Sequence, residues 1–374
     1  MKVGLIIYGA IQNLSGGYLF DRSLVKYLTD RGDQVDVISI PFRNYLIHLL
    51  DNFKYRLPRD YDILIQDELN HPSLITANSQ NHSYPVVCLV HHLRSSESWP
   101  VWQAWFYRFI EKRYLRSVDG FIFNSKTTAR AVRGLIDNSK PSMIAYPPTD
   151  RFGNNISPGD IEARSLKSPF RLLFLGNLIP RKGLHVILDA MAGIFRRRQS
   201  SSRATTPHTD QRIPDFVLDI VGSMHVQPDY TRVMQERVKD LGLEARVQFH
   251  GSLDIEPLRE LLINAHLLVL PSSYEGFGIA YLEGMGFGLP AIGTTQGAAR
   301  EIITNGINGY LVEPESSNAL MGKILQLDGD RKLLTRMSLA AHQRYLAQPA
   351  WTDIAGGIRE FLFEMTTNKR AAES

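Results

Sequence analysis

Leu267-Leu-Val-Leu-Pro-Ser-Ser-Tyr-Glu-Gly-Phe-Gly-Ile-Ala-Tyr-Leu-Glu283 is the stretch whose reading decides the fold. The apolar run Leu267–Leu270, closed by Pro271-Ser-Ser, reads as a buried strand and a turn. The residues after it predict a helix beginning near Gly278. In an α/β protein, Gly276 and Gly278 then lie between a strand's carboxyl end and a helix start. There, free backbone N–H groups and the positive end of the helix dipole meet ligands, and glycine lets a ligand approach the backbone. The other reading is a helix with a solvated glutamate near each end.

A second segment has the same grammar. Gly176-Asn-Leu-Ile-Pro-Arg-Lys-Gly183 follows the strand pattern Phe170–Leu175 and precedes a helical pattern of Leu184, Ile187, Leu188 and Met191. Arg181 and Lys182 on this loop suit a diphosphate, Arg by bidentate contact and Lys as a compact point charge. A solvated basic turn is the alternative. Glu275 and Glu283, eight residues apart, lie at most ~12 Å apart at a helical rise of ~1.5 Å per residue. That separation approximates the distance from sugar to ribose in a nucleotide sugar, and both ends offer hydroxyls that carboxylates accept.

The 374 residues, 44% hydrophobic, suit two compact α/β domains. A net charge of +4 favours anionic ligands or membrane surfaces and gives no signature of nucleic-acid binding. The single cysteine, Cys88, sits in the apolar run Val86–Val90 and reads as a buried hydrophobe. Lys2–Tyr8 is too short for a signal peptide and reads as a first strand. No run reaches the ~20 apolar residues that span a bilayer. The expectation is a cytoplasmic protein, peripheral at most on the inner face of the membrane.

Strand-like runs recur at Val3–Tyr8, Gln34–Ile40, Asp62–Gln66, Val86–Val90, Gly120–Phe123 and Ser142–Tyr146. They are nearly all apolar, as in a parallel sheet covered on both faces. Tyr146-Pro-Pro-Thr-Asp and the polar segment through Ser168 read as a linker, and a second α/β series starts at Phe170. We expect a domain over 1–165, completed by a C-terminal helix over 350–366, and a domain over 166–349, with a cleft between them. Residues 196–212 lack apolar periodicity and are expected to form a flexible basic insertion. The tail from Thr366 is expected to fray.

Taken together, Gly176–Gly183, the E-x7-E spacing of Glu275 and Glu283, Gly288-Leu-Pro-Ala-Ile-Gly-Thr-Thr-Gln-Gly297 and Glu301-Ile-Ile-Thr-Asn-Gly-Ile-Asn-Gly-Tyr-Leu-Val312 resemble the retaining glycosyltransferases of the GT-B fold, glycosyltransferase family 4. The resemblance is dense from Phe170 to Val312 and loose before it. It implies two Rossmann-like domains facing a cleft, with the last helix crossing back onto the first. It implies sugar transfer from a UDP- or GDP-linked donor, with retention, to a hydroxyl acceptor such as a lipid-linked or cell-envelope glycan. Arg181 and Lys182 would stabilise the departing diphosphate, Glu275 with the backbone of Gly276, Phe277, Gly278 and Ile279 the sugar, and Glu283 the ribose. Gly16 and Gly17, after the first strand, match the family's glycine-rich loop near donor phosphates and acceptor. His91, ending the fourth strand, matches a histidine that faces the reacting sugar, and would hydrogen-bond while neutral near pH 7. Gly176, Gly222 and Phe249 would line the nucleotide.

No metal or other cofactor is expected. Asp328-Gly-Asp330 fits a loose Asp-x-Asp pattern but reads as a turn. Trp99–Arg116 and Arg43–Arg59 mix aromatic or aliphatic residues with cations. Each reads either as a helix packed in the core or as a surface for an anionic membrane. Two other functions fit the same motifs: a sugar-nucleotide epimerase, and a non-catalytic membrane-associated subunit.

Overall fold

The structure, a computed structural model, describes residues 1–13, 15–136, 140–153, 156–201 and 215–373. Two units divide the chain: Met1–Pro148 with Pro349–Ser374, and Thr149–Gln348.

The first unit holds β1 (Lys2–Tyr8), β2 (Gln34–Ile40), β3 (Ile63–Asp67), β4 (Val86–Val90), β5 (Gly120–Phe123) and β6 (Ser142–Ile144). All pair in parallel, in the order β2-β1-β3-β4-β5-β6. Side chains alternate across the pleat. Ile6, Leu64, Cys88, Phe121 and Phe123 enter one core. Leu5, Ile63, Ile65, Val87 and Ile122 enter the other. With both faces covered, most positions of β1, β3, β4 and β5 are apolar, which is why these strands read as apolar runs; buried Gln66 on β3 is an exception and hydrogen-bonds Asn78 and Tyr114. Cys88 is buried.

The C-terminal helix Trp351–Glu373 belongs to this unit. It seats Ile358, Leu362 and Met365 in the second core, and Arg359 pairs with Asp33 at 2.6 Å. Thr366 is buried, so the chain does not fray where the sequence predicts.

The second unit carries β7 (Phe170–Leu175), β8 (Phe216–Val221), β9 (Val247–Gly251), β10 (Leu267–Val269), β11 (Ala291–Thr294) and β12 (Gly309–Val312). Their order is β12-β11-β10-β7-β8-β9, all parallel. The unit begins before residue 166. The helix Pro158–Ser165 joins it because buried Arg164 donates to the carbonyls of Phe287 and Gly288, both at 2.8 Å. The helix after β7 runs over Leu184–Ser201, so the expected insertion starts as helix; the rest of it, 202–212, lies outside the described residues.

Candidate active site

Sheet order locates the crevices. In the second unit, successive strands are added on one side of β7 and then, from β10, on the other. Loops leaving β7 and β10 therefore diverge, and the gap at their carboxyl ends is where α/β sheets bind ligands. Those are the two loops singled out from sequence. The turn Pro180–Lys182 follows β7, and Glu275 to Gly278 follow β10, with Gly278 as N-cap of the helix Ile279–Gly286.

The loops are tied through charge. Lys182 Nζ donates to Glu275 Oε1 at 2.6 Å, and Ser272 Oγ donates to the same oxygen at 2.6 Å. Arg181 Nη1 lies 3.9 Å from Glu275 Oε2 and donates to the Tyr274 carbonyl. The Ser273 and Ala298 N–H groups donate to Arg181 O and Glu275 O, both at 2.8 Å. Burial alone would raise the Glu275 carboxyl, but Lys182 and Arg181 outweigh it and hold the group below its ordinary range. Burial pulls Lys182 downward against the opposing pull of Glu275. Neither residue is solvated. The alternative of a solvated basic turn fails for Lys182, whose side chain is largely buried and whose stem lies beside Gly176.

Glu283 is also buried, and Arg151 Nε lies 2.6 Å from it. Burial raises the Glu283 carboxyl and Arg151 opposes this. The solvated-glutamate reading is thus excluded for both carboxylates. At the ends of β7 and β8, Gly222 has φ of 150°, and a Cβ there would lie 1.9 Å from the Gly176 carbonyl oxygen, so only glycine lets these strand ends meet. Phe249 is half-buried on β9. Asp328 pairs with Arg331 at 2.5 Å, and Asp330 caps the helix Arg331–Leu346. Helix-end contacts account for both carboxylates of the Asp-x-Asp pattern.

In the first unit the strand order reverses at β1 and β3. Gly16 and Gly17 open the helix Gly16–Asp30 after β1, and His91 follows β4. A Cβ on Gly17 would sit 3.1 Å from His91 Cδ2, so the loop rests on the imidazole. His91 Nε2 lies 3.5 Å from Asp21 Oδ1, and one side-chain atom each of Asp21, Asp67 and His91 lies within 4.8 Å of the others. Burial and Asp21 raise the Asp67 carboxyl to about 7, with His91 pulling against them. Burial works against a charged His91, but Asp21 and Asp67 prevail and move its pKa upward. The sequence expectation of a neutral imidazole omits these partners. Glu68 Oε2 accepts from the His91 and His92 N–H groups at 3.2 and 3.3 Å.

Two adjacent helices of this unit expose apolar side chains. Tyr45–Asp51 and Val101–Ser117 meet where the Tyr45 ring packs on Tyr107, 5.0 Å between centroids. Leu46, Ile47, Leu50, Trp102, Trp105 and Phe109 are exposed, as is nearby Phe53. The helix Val101–Ser117 is core along Ile110, Tyr114 and Leu115 only. The core reading therefore holds for one face of this helix, and the other face is exposed. Among the described residues, no helix is long and apolar enough to cross a membrane.

Sequence reasoning overlooked Arg151, Ser272, Asp21 and Asp67. Asp21 carried a signal, since it falls on the buried stripe of Tyr18, Leu24 and Leu28.

The architecture has counterparts among solved structures. Sucrose-phosphate synthase from Thermosynechococcus elongatus superposes with a TM-score of 0.78 at 20% identity, over 98% of this chain and 99% of its own. The Anabaena protein HepE, solved with UDP and glucose, gives 0.75 at 20% identity, over 97% and 100%. The fold is GT-B. Residues 160–344 match the family model of glycosyl transferases group 1, and this segment belongs to that family. A 121-residue stretch is 36% identical to N-acetyl-alpha-D-glucosaminyl L-malate synthase of Bacillus anthracis, covering 32% of this chain and 31% of that one. The chain spans between 31% and 48% of the length of the first curated relatives it matches.

Proposed function

We propose that the protein transfers a sugar from a nucleoside-diphosphate sugar to a hydroxyl acceptor, with retention and without a metal ion. The observation that carries this reading is the Lys182–Glu275 pair at the reversal point of the second sheet, flanked by Arg181 and the Gly176–Gly222 contact. A cationic loop facing a carboxylate loop can hold a diphosphate and a sugar side by side. In the transfer, the bond from the sugar's anomeric carbon to the phosphate oxygen breaks as the acceptor oxygen bonds to that carbon on the same face. The acceptor's proton passes to the departing phosphate oxygen. Arg181 and Lys182 stabilise the charge that grows there; Glu275 and the backbone of Gly276 to Ile279 hold the sugar, and Glu283 the ribose. No second carboxylate is assigned as nucleophile, in contrast to retaining glycosidases.

The first unit serves the acceptor, with His91 as its hydrogen-bonding group. Its exposed apolar helices, flanked by Arg43, Lys54, Arg56, Arg108, Lys112 and Arg113, favour an acceptor held at an anionic membrane. The test is a thermal-shift series with UDP, GDP and ADP, followed by product analysis with the matching sugar nucleotide. A ligand that binds the native state alone raises the unfolding temperature. Silence toward all three nucleotides would sink the reading. Sugar-nucleotide isomerisation without acceptor would assign an epimerase instead.

A further inference from the structure

We propose that Asp21 is the positioning residue of His91: it turns the ring through Nε2 and fixes a positive charge on it beside Gly17, at the start of the helix Gly16–Asp30. The inference rests on the function proposed above only for what that charge serves.

The geometry begins with a carboxylate that has no ordinary explanation. Asp21 is fully buried, and neither of its oxygens has a hydrogen-bond partner among the described residues. Burying a carboxylate without a partner is strongly unfavourable, and such groups call for a reason. Among the described residues, the ion-pair partner of Asp21 is His91, at 3.5 Å. His91 Nε2 is itself buried without a hydrogen bond, so carboxylate and imidazole face each other with a gap that a small rotation closes. Asp67 is the third member, buried at the end of β3 and already accepting from the Leu69 N–H at 2.9 Å.

The surrounding charges favour an imidazolium. Asp21 faces the ring from the helix Gly16–Asp30, and Asp67 from the end of β3. Glu68 accepts the backbone N–H of His91, and Asn124 Nδ2 donates to its carbonyl at 2.7 Å. His92, next in the chain, turns to Glu97 at 2.8 Å. Two carboxylates thus oppose the desolvation that would discharge the ring, and the direction of the His91 shift agrees.

An imidazolium donates from both nitrogens. With Nε2 committed to Asp21, Nδ1 is left for a ligand, and a cation beside Gly17 at the start of the helix Gly16–Asp30 suits an anionic oxygen. Asp21 itself need touch no substrate.

The experiment titrates the histidine rings of the full chain by NMR, with His91 identified by the signal lost in His91→Gln. Wild-type His91 should titrate above the ordinary ~6.5. Asp21→Asn, which keeps the shape, should bring it below that value, because burial persists without the carboxylate. Asp67→Asn should fall between the two. In parallel, the alkaline limb of kcat/KM should move down with the His91 titration in Asp21→Asn, a loss of about tenfold for each pH unit it moves.

A wild-type His91 that titrates at or below ~6.5 overturns the proposal, whether or not Asp21→Asn folds. So does an Asp21→Asn protein, folded by circular dichroism, whose His91 titrates as in wild type. A wild-type titration that changes on adding a chelator would make the three side chains ion ligands and also overturn it. If the ring shifts as expected while the kcat/KM profile stays put, the charge is right and its role in transfer is refuted. If no sugar transfer is found at all, the NMR arm still decides whether Asp21 holds the charge.

Discussion

Replacing Lys182 with methionine should destabilise the second unit before its turnover can be interpreted. Methionine keeps the apolar stem and removes the ammonium 2.6 Å from Glu275 Oε1. Glu275 then remains buried with Ser272 Oγ at 2.6 Å and Arg181 at 3.9 Å. Removing one partner of a buried pair costs about 3–5 kcal/mol, and the two remaining partners place this case near the lower end. For a unit of this size, a loss of about 3 kcal/mol lowers Tm by about 6–12 °C. All four tryptophans, Trp99, Trp102, Trp105 and Trp351, lie in the first unit. Far-UV circular dichroism should therefore record the loss, while tryptophan fluorescence reports whether it spreads.

The pH dependence has a definite sign. The folded pKa of Glu275 lies below its ordinary value, so its pairing stabilises above the unfolded pKa and is lost as pH falls through the folded one. The gap between wild type and variant should be full well above the ordinary carboxylate range and shrink as pH falls, first as Glu275 of the variant, raised by burial without its lysine, takes up a proton, and then as wild-type Glu275 does. The double variant Lys182→Met/Glu275→Gln should recover part of the loss, since neither charge is stranded. A Lys182→Met protein as stable as wild type at neutral pH, or one not rescued by the second change, would refute the pair as mutually compensating. Only where the variant is folded does its turnover loss, about a hundredfold, report on the diphosphate.

Four further outcomes are expected. Gly222→Ala should fail to accumulate as soluble protein, because its methyl would lie 1.9 Å from Gly176 O; Gly242→Ala, with φ of 64° and open space around it, should fold with a loss of about 1 kcal/mol. Arg151→Ala should cost more stability at pH 8 than at pH 5, since Glu283, already raised by burial, needs no cation once protonated; equal Tm losses at the two pH values would contradict this. Transfer should persist in excess EDTA, and a loss restored by Mg²⁺ or Mn²⁺ would return the phosphate chemistry to a metal. Vesicles rich in phosphatidylglycerol should sediment the protein at low salt and release it at 0.5 M, roughly, where charge attraction is screened within a few ångströms; Trp102→Ser/Trp105→Ser should weaken the binding, and a wild-type protein that stays in solution would exclude the membrane.

Much of the scaffold was legible because parallel strands covered on both faces leave a dense apolar record, as Val86–Val90 does. The two loops of the second unit were legible for a different reason, since each packs glycine and charge between a strand and a helix. Their pairing was not. Lys182 and Glu275 are 93 residues apart, and only the adjacency of β7 and β10 brings them together. The same gap made Lys182 look solvated. Arg151 was hidden in a segment read as linker, because nothing local says that its partner is Glu283 on a distant helix. Asp21 was readable as an acid on an apolar stripe, but its partner depends on the order of β1, β3 and β4.

The two reversal points compensate buried carboxylates in opposite ways. At the second sheet, Lys182 and Arg181 keep Glu275 ionised, with its pKa moved down and away from neutrality. At the first, no lysine or arginine pairs with Asp21 or Asp67 among the described residues, and protons take the place of a cation: burial and Asp21 push the Asp67 carboxyl up to about 7, and His91 is shifted upward from its ordinary range. It follows that the Glu275 carboxylate should hold its charge through neutral and mildly alkaline pH, while the first unit changes charge within it. If the units divide the reaction as proposed, pH dependence of transfer near neutrality should originate mainly in the first unit, and in the second only from Glu283, which burial also shifts upward. A nucleotide affinity that tracked turnover across pH 6–8, roughly, would show that the two sites do not divide the charges in this way.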